Sequence, residues 1–412
     1  MRERPFRRWG ILALAALWSA PVAAEPALPP PDAVAAALDA APAVIAAEAR
    51  TDAARAEARA LARGTQEFSL TTGFMSRSID REGRYNEYDA VLSRPIRLPG
   101  KGQLDRAAGE FGLSVARNRA EDARHQTALL LADSWWDWVA AAAEVRVNRQ
   151  AAENYRGMLA AVRRRVALRD AAALEADQTE AALGGALLAL EQAEGRMAVA
   201  RARLAARFPS LPLPDAAPEP DAPELPGEGL APFGAKVVAR SHEIAAADAE
   251  AQRVATLAER ARADRLADPS LGVRLFSERG GLERGAGVVV TLPLGGGHRR
   301  ALADRASAEA SAAQADAAAA RQVVNEMATA DMTLAEAGYA AWRRAREGLD
   351  AQVAALMKLR RGQAAGEFGL AEVLLGERQV HDAFRAEALA RIEAQRALTR
   401  LRIDSHELWI TE

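Results

Sequence analysis

Hydrophobic and polar positions change period along the chain, and the changes come in the same order twice. After Pro29, Pro30 and Pro31, residues 32–63 place apolar side chains at three- and four-residue spacing, which predicts a helix. Asp32 stands where an N-cap is favoured, Pro42 predicts a start or kink, and Gly64 a stop. Over residues 66–94 the period falls to two. Phe68, Leu70, Thr72 and Phe74 alternate with Ser69, Thr71 and Gly73, and Tyr88, Ala90 and Leu92 alternate with Glu87, Asp89 and Ser93. With a polar turn at Gly83 between them, these runs predict a β-hairpin. After a break from Pro95 to Gly102, residues 103–166 contain no proline and hardly a helix breaker beyond Gly112. One helix of that length would be about 95 Å long. A turn over 168–172 and a second helix to Arg207 complete a long helical hairpin, 103–207.

Residues 209–232 carry eight prolines and are read as a linker. The order then repeats: a helix over 233–266, a β-hairpin over 270–293, a break at Pro293–Arg300, a long helix over 301–361, a turn near Gly366–Gly369, and a last helix to about His406. Asp105-Arg106-Ala107 follows the first break and Asp304-Arg305-Ala306 the second, while Glu175–Glu180 aligns with Glu372–Glu377. The predicted organisation is a first repeat at 25–208, the linker at 209–232 and a second repeat at 233–412. Residues 1–24 precede it as an export signal. Arg2, Arg4, Arg7 and Arg8 form its basic part, Trp9–Ala20 its apolar run, and Val22-Ala23-Ala24 a cleavage site. The apolar run is too short to span a bilayer as a helix. An exported chain without a helical span can be soluble or can cross a membrane as a closed barrel.

The hairpins bear on that choice. Four strands do not close a barrel, and a lone hairpin is marginal in water. Association around a symmetry axis would pool the strands and remove every edge. One side of the predicted strands (Phe68, Leu70, Phe74, Leu271, Val273, Leu275, Val288, Val290, Leu292) is apolar, and the other is polar or small. That is the lipid-out, lumen-in pattern of an outer-membrane barrel, although a hairpin packed on a helix alternates as well. In the last helix Val373, Leu374, Val380, Phe384, Leu389 and Ile392 make a seam, which suits a plain coiled coil or the wall of a tunnel.

Composition narrows the chemistry. Half of the 412 residues are hydrophobic but only 5% aromatic, and alanine supplies most of the apolar share. This is the composition of long helices. Lys+Arg 54 against Asp+Glu 56 gives a formal net charge of −2, without the basic excess of a nucleic-acid binder. The absence of cysteine excludes disulfides, thiolate metal sites and an acyl anchor on an N-terminal cysteine. No catalytic constellation appears, and Gly295-Gly296-Gly297 lacks the Lys-Ser/Thr of a phosphate loop. Neither an enzymatic activity nor a cofactor is expected.

The duplicated plan resembles the TolC-type outer-membrane efflux proteins. Arg361, Gly366, Gly369, Leu370, Glu372, Val373, Leu374 and Glu377 are similar to that family's pattern at the tip of the second helical hairpin. Pro293–Gly297 and Pro95–Gly102 resemble its strand-to-helix turns. The first tip departs from the pattern, with Arg169 or Asp170 where glycine is expected. The resemblance implies a mainly α fold with a β-barrel part. It implies a homotrimer with a 12-stranded barrel in outer-membrane lipid and a helical tunnel across the periplasm. It also implies a periplasmic adaptor and an inner-membrane pump as partners. Within the family the chain looks most like the outer-membrane component of heavy-metal (cobalt–zinc–cadmium type) pumps. A periplasmic coiled-coil adaptor or scaffold is the alternative.

Asp170, Glu175, Glu367 and Glu372 lie at or just after the two predicted tips. Symmetry would triple each one, so they are candidate lining of a cation-favouring entrance. The helix dipole favours acids in a first turn for structural reasons alone. His125, His242, His298, His381 and His406 show no metal-ligand spacing and are expected to be solvated. Trp135, Trp136 and Trp138 fall mid-helix and are expected to pack against helices, leaving Phe74, Tyr85 and Tyr88 as candidates for a membrane aromatic belt.

Overall fold

The computed structural model describes residues 27–410, so the export signal expected at residues 1–24 lies outside the described residues. The order is α1 (Pro31–Asp39), α2 (Pro42–Arg63), β1 (Ser69–Ile79), β2 (Gly83–Pro95), α3 (Lys101–Ala167), α4 (Ala173–Arg207), then α5 (Ala231–Ala239), α6 (His242–Ala263), β3 (Ser270–Glu278), β4 (Glu283–Thr291), α7 (Gly297–Ala364) and α8 (Leu370–Asp404). Each predicted entry helix is split into two. Pro42 starts α2 after Ala41, because proline lacks the N–H that would continue α1. The second copy breaks at Arg240–Ser241 without a proline, where Ser241 Oγ accepts from the Ile244 N–H at 3.2 Å and caps α6. Asp32 is not the N-cap of α1; Pro30 holds that place and Asp32 sits in the first turn.

The strands form one antiparallel sheet in the order β1-β2-β3-β4, with β2 and β3 joining the two hairpins. The two longest helices leave from this sheet. With 67 residues in α3 and 68 in α7, each runs about 100 Å. The 35 residues of α4 and of α8 span about half that distance. So α2 covers the half of α3 nearest the sheet and α4 the far half, while α6 and α8 divide α7 in the same way. Contacts of α3 with α6 and with α8 bind the repeats together. Small residues set the spacing. A Cβ at Gly109 would lie 2.9 Å from the Ala58 Cα, where α2 crosses α3, and one at Gly338 would lie 3.2 Å from the Ala394 Cα on α8.

The larger of the two hydrophobic clusters among the described residues is at the waist, midway along α3. Trp135, Trp136 and Trp138 are buried there with Val34, Leu38, Leu204, Ile392 and Ile403. Trp135 Nε1 donates to the Ala27 carbonyl at 2.9 Å and Trp136 Nε1 to Thr399 Oγ1 at 3.2 Å, so both buried indoles are satisfied. The proline-rich segment between the repeats packs here as a strap. Phe208 and Leu211 enter the core, and Arg391 and Gln395 donate to the carbonyls of Pro220 and Asp221. A second cluster, Phe233, Val237, Val324, Ala328, Leu398 and Leu401, joins α5, α7 and α8.

At the sheet end an ion network joins the repeats. Lys101 is 2% exposed, and its Nζ lies 2.7 Å from the Leu266 carbonyl, 2.7 Å from Asp268 Oδ1 and 2.8 Å from Asp264 Oδ1. Arg260 Nε lies 2.7 Å from Asp105 Oδ1, and the Leu98 N–H donates to Asp268 at 3.1 Å. Burial pushes the Asp264 and Asp268 carboxyls up, but hydrogen bonds from Arg260 and Lys101 to the first, and from Lys101 and Leu98 to the second, outweigh it. Both are held below the ordinary carboxylate range.

Candidate membrane face and channel entrance

Strand register decides which side chains share a face. Phe74 lies opposite Tyr88, Leu70 opposite Leu92, Leu92 opposite Val273, Val273 opposite Val288, and Leu271 opposite Val290, with Leu275 between Ala90 and Ala286. One face therefore carries Leu70, Phe74, Leu271, Val273, Leu275, Val288 and Val290, all exposed. Phe68 and Leu292, just beyond the strand ends, are exposed too and continue the alternation. The nine residues picked from the sequence pattern thus fall into one apolar register. The Phe74 and Tyr88 rings pair across the strands at 5.4 Å. Removing such a surface from water is worth on the order of 10 kcal/mol per copy. Contiguous apolar patches of this kind mark interaction surfaces.

The opposite face is small and polar at Ser69, Thr71, Gly73, Ser93, Gly272, Gly285 and Gly287, with Met75, Ile79, Val91, Phe276 and Val289 as apolar exceptions; Tyr85 is on this face too, not with Phe74 and Tyr88 as an aromatic belt would need. Four of its charges are paired, Arg274 with Asp89 and Arg77 with Glu87, the latter at 2.7 Å. The outer edges of β1 and β4 have no strand partner among the described residues. Long unpaired edges next to an apolar face template further strand pairing.

At the far end are the two helical tips. In the first, Arg169 adopts φ +61°, the left-handed conformation that glycine would take without strain. Arg165 Nε lies 2.9 Å from Asp170 Oδ2, its Nη2 donates to the Asp170 carbonyl at 3.1 Å, and Glu175 is 3.8 Å from its Nη1. One arginine therefore engages both candidate acids of this tip. In the second tip Gly366 takes the left-handed position at φ +80°. Glu367 and Glu372 are exposed and have no ion-pair partner among the described residues. The fold brings all four acids to one end of the molecule, but no hydrogen bond or ion pair joins the two tips among the described residues. Behind the second tip Glu377, 1% exposed, is bonded by Arg360 Nε at 2.7 Å, tying α7 to α8. In the α8 seam Val373, Val380 and Ile392 are buried, whereas Phe384 is exposed and lines an open groove with Val147, Leu356 and Met357.

The histidines depart from expectation. His298 is exposed, but His125 and His406 are buried at the waist and His242 is half-buried beside them. His125 Nε2 lies 2.7 Å from Asp404 Oδ1. No periodic signal could have found this group, since its members come from three separate segments. Among the described residues no set of three His, Asp or Glu side chains converges to hold a metal ion. Nor, among them, is any helix long and apolar enough to cross a membrane.

No protein-family model matches the sequence, and no curated protein matches it. Solved structures do match. The outer membrane protein VceC from Vibrio cholerae superposes with a TM-score of 0.73 at 16% identity, over 92% of this chain and 95% of that one. The MtrE outer membrane channel of Neisseria gonorrhoeae, in its open state, gives 0.75 at 16% identity, over 92% and 89%. CusC, whose structures concern folding and transmembrane channel formation, gives 0.69 at 16% identity, over 91% of each chain. The chain shares the fold of these outer-membrane channels across nearly its whole described length.

Proposed function

We propose that the protein is the outer-membrane exit duct of a tripartite efflux system. It works as a homotrimer, with a periplasmic adaptor and an inner-membrane pump as partners. The observation that carries this reading is the open-edged four-stranded sheet with one apolar face, set on a helical body about 100 Å long. Three copies would contribute twelve strands, pair every edge, turn the apolar face to lipid and leave the small, polar face toward a lumen. Likeness to outer-membrane channels over more than nine-tenths of the chain supports this reading and does not favour the adaptor alternative.

The cargo proposed is a heavy-metal cation, on the strength of the sequence resemblance. The entrance acids fit it: three copies of Glu367 and Glu372 would make rings of negative charge, while Arg165 offsets Asp170 and Glu175. Growth of a deletion strain across a panel of metals and drugs tests the cargo. Sensitivity confined to divalent metals is expected, and sensitivity to drugs alone would refute it. For the entrance, the E367Q/E372Q channel should lose cation preference in planar bilayers, whereas D170N should change it little. Unchanged selectivity in E367Q/E372Q would remove these residues from the lining.

A further inference from the structure

The charges of the sheet are sorted by face. All four acids of the strands, Glu87, Asp89, Glu278 and Glu283, stand in the register of the small, polar face. The apolar face has only three charged residues within the strands, Arg84, Arg94 and Arg284. Arg94 lies at the end from which the helices leave, where its Nε donates to the Gln66 carbonyl at 2.8 Å and its guanidinium stands over the Phe68 ring. Arg84 and Arg284 lie at the other end, beside the hairpin turns. Arg284 shares a register row with Phe74, Tyr88 and Ser277, and Arg84 stands four residues from Tyr88 on β2, opposite Ser78. Ser76 and Asn86 fill the row between. Both arginines are exposed, and neither guanidinium has an ion-pair or hydrogen-bond partner among the described residues. Three acids at this end are already engaged: Glu82 and Glu283 lie 3.6 Å and 3.5 Å from Arg279, and Glu87 holds Arg77 and accepts from the Arg279 N–H.

We propose that Arg84 and Arg284 form a binding site for phosphorylated lipid headgroups on the outer rim of the barrel. The inference rests on the barrel reading, in which the apolar face meets lipid and the hairpin turns, at the end away from the helices, reach the outer leaflet. Acyl chains would then lie on Leu70, Leu275 and Val288, and headgroups would meet the guanidiniums at and beyond the Phe74–Tyr88 ring pair. A guanidinium offers a planar fork of N–H donors that matches phosphate oxygens. With no strand acid on this face, no carboxylate of the strands competes for the two forks. β1 contains no acid at all, so pairing of β4 with β1 of the next copy brings none to the rim either. Zwitterionic headgroups carry their own cation beside the phosphate and gain less from an arginine. The site therefore favours a lipid bearing phosphate monoesters.

The test is native mass spectrometry of the full-length protein in detergent, titrated with bisphosphorylated lipid A, with the same lipid stripped of both phosphates, and with phosphatidylethanolamine. The protein mass reports assembly and the added lipid mass reports the site, in one spectrum. The wild-type trimer should bind the bisphosphorylated lipid and hold the other two only weakly. R84Q/R284Q should stay trimeric and lose about thirtyfold in affinity, the scale of two arginines against anionic lipid. If the double variant does not assemble, R84Q and R284Q alone should each lose about fivefold. R94Q removes the arginine at the opposite rim and should bind as the wild type does. Inorganic phosphate in millimolar excess should not displace the lipid. Monomers alone would refute the barrel, and the inference with it. Trimers that bind the phosphorylated and stripped lipids alike, that bind undiminished after the arginines are replaced, or that release lipid to inorganic phosphate overturn the site and leave the barrel standing.

Discussion

Replacing Lys101 by methionine keeps the length of the side chain and removes only its charge. In the native junction the ammonium satisfies the Leu266 carbonyl, Asp268 and Asp264 at once, while being almost wholly buried. Removing one partner of a buried ion pair typically costs about 3–5 kcal/mol. Here Asp268 keeps the Leu98 N–H and Asp264 keeps Arg260, and the Asp264 side chain is 40% exposed, which lowers the expectation to about 2–3 kcal/mol. The pH dependence follows from the depressed carboxyls. Their stabilising contribution is present above the ordinary pKa of about 3.9 and is lost as pH falls through their lower folded values. K101M removes a cation from both, so the gap between wild type and variant should be widest above about pH 5 and close toward pH 3. Thermal melts at fixed protein and detergent concentration, from pH 3 to 8, measure this. Adding D268N should recover part of the loss, because the carboxylate left without its ammonium becomes neutral. A K101M melt indistinguishable from wild type at pH 7, or a K101M/D268N variant weaker than K101M, would refute the reasoning.

Four further substitutions probe other parts of the structure. Val273→Arg places a charge in the middle of the apolar sheet face and should cost about 2–4 kcal/mol of assembly in membranes, whereas Thr71→Arg on the other face should assemble, as membrane-fraction yield will show. Trp136→Ala empties the centre of the waist core and should cost about 3–5 kcal/mol, read by the same melts. Gly109→Val pushes a side chain into Ala58 and should cost about 1–3 kcal/mol by separating α2 from α3, with increased protease sensitivity near Gly64 as the local readout.

Local periodicity carried most of the architecture. The change from a period near 3.6 to a period of 2 located both hairpins, and the register then placed Leu70, Val273 and Val288 on one face as the alternation required. What stayed hidden depends on contacts between distant segments. The break at Arg240–Ser241 has no proline to announce it and is set by the Ser241 cap and by packing of α5 on α7. The prolines of 209–232 mark a linker by the loss of helix but say nothing of burial, and only the folded waist gives Phe208 and Leu211 a place to insert. The histidine group and the Lys101 network join residues from both repeats, so neither leaves a trace in any window of sequence. The tip acids were located by position, but their inequality was not legible, because it rests on Arg165 alone reaching Asp170 and Glu175.

The central claim is that copies of the chain pair through β1 and β4 to close a barrel. Within one copy these strands are separated by β2 and β3, three spacings or about 14 Å, while strands paired between copies would be about 5 Å apart. The chain contains no cysteine, so single cysteines can be placed on each edge, Thr71→Cys on β1 and Val289→Cys on β4, with neighbouring positions scanned for register. A thiol crosslinker shorter than about 10 Å, applied to intact outer membranes, spans the paired edges but not the width of one sheet. The account predicts dimer and trimer bands in denaturing gels that require both cysteines. Monomer alone at every position, or crosslinks confined within one chain, would contradict it.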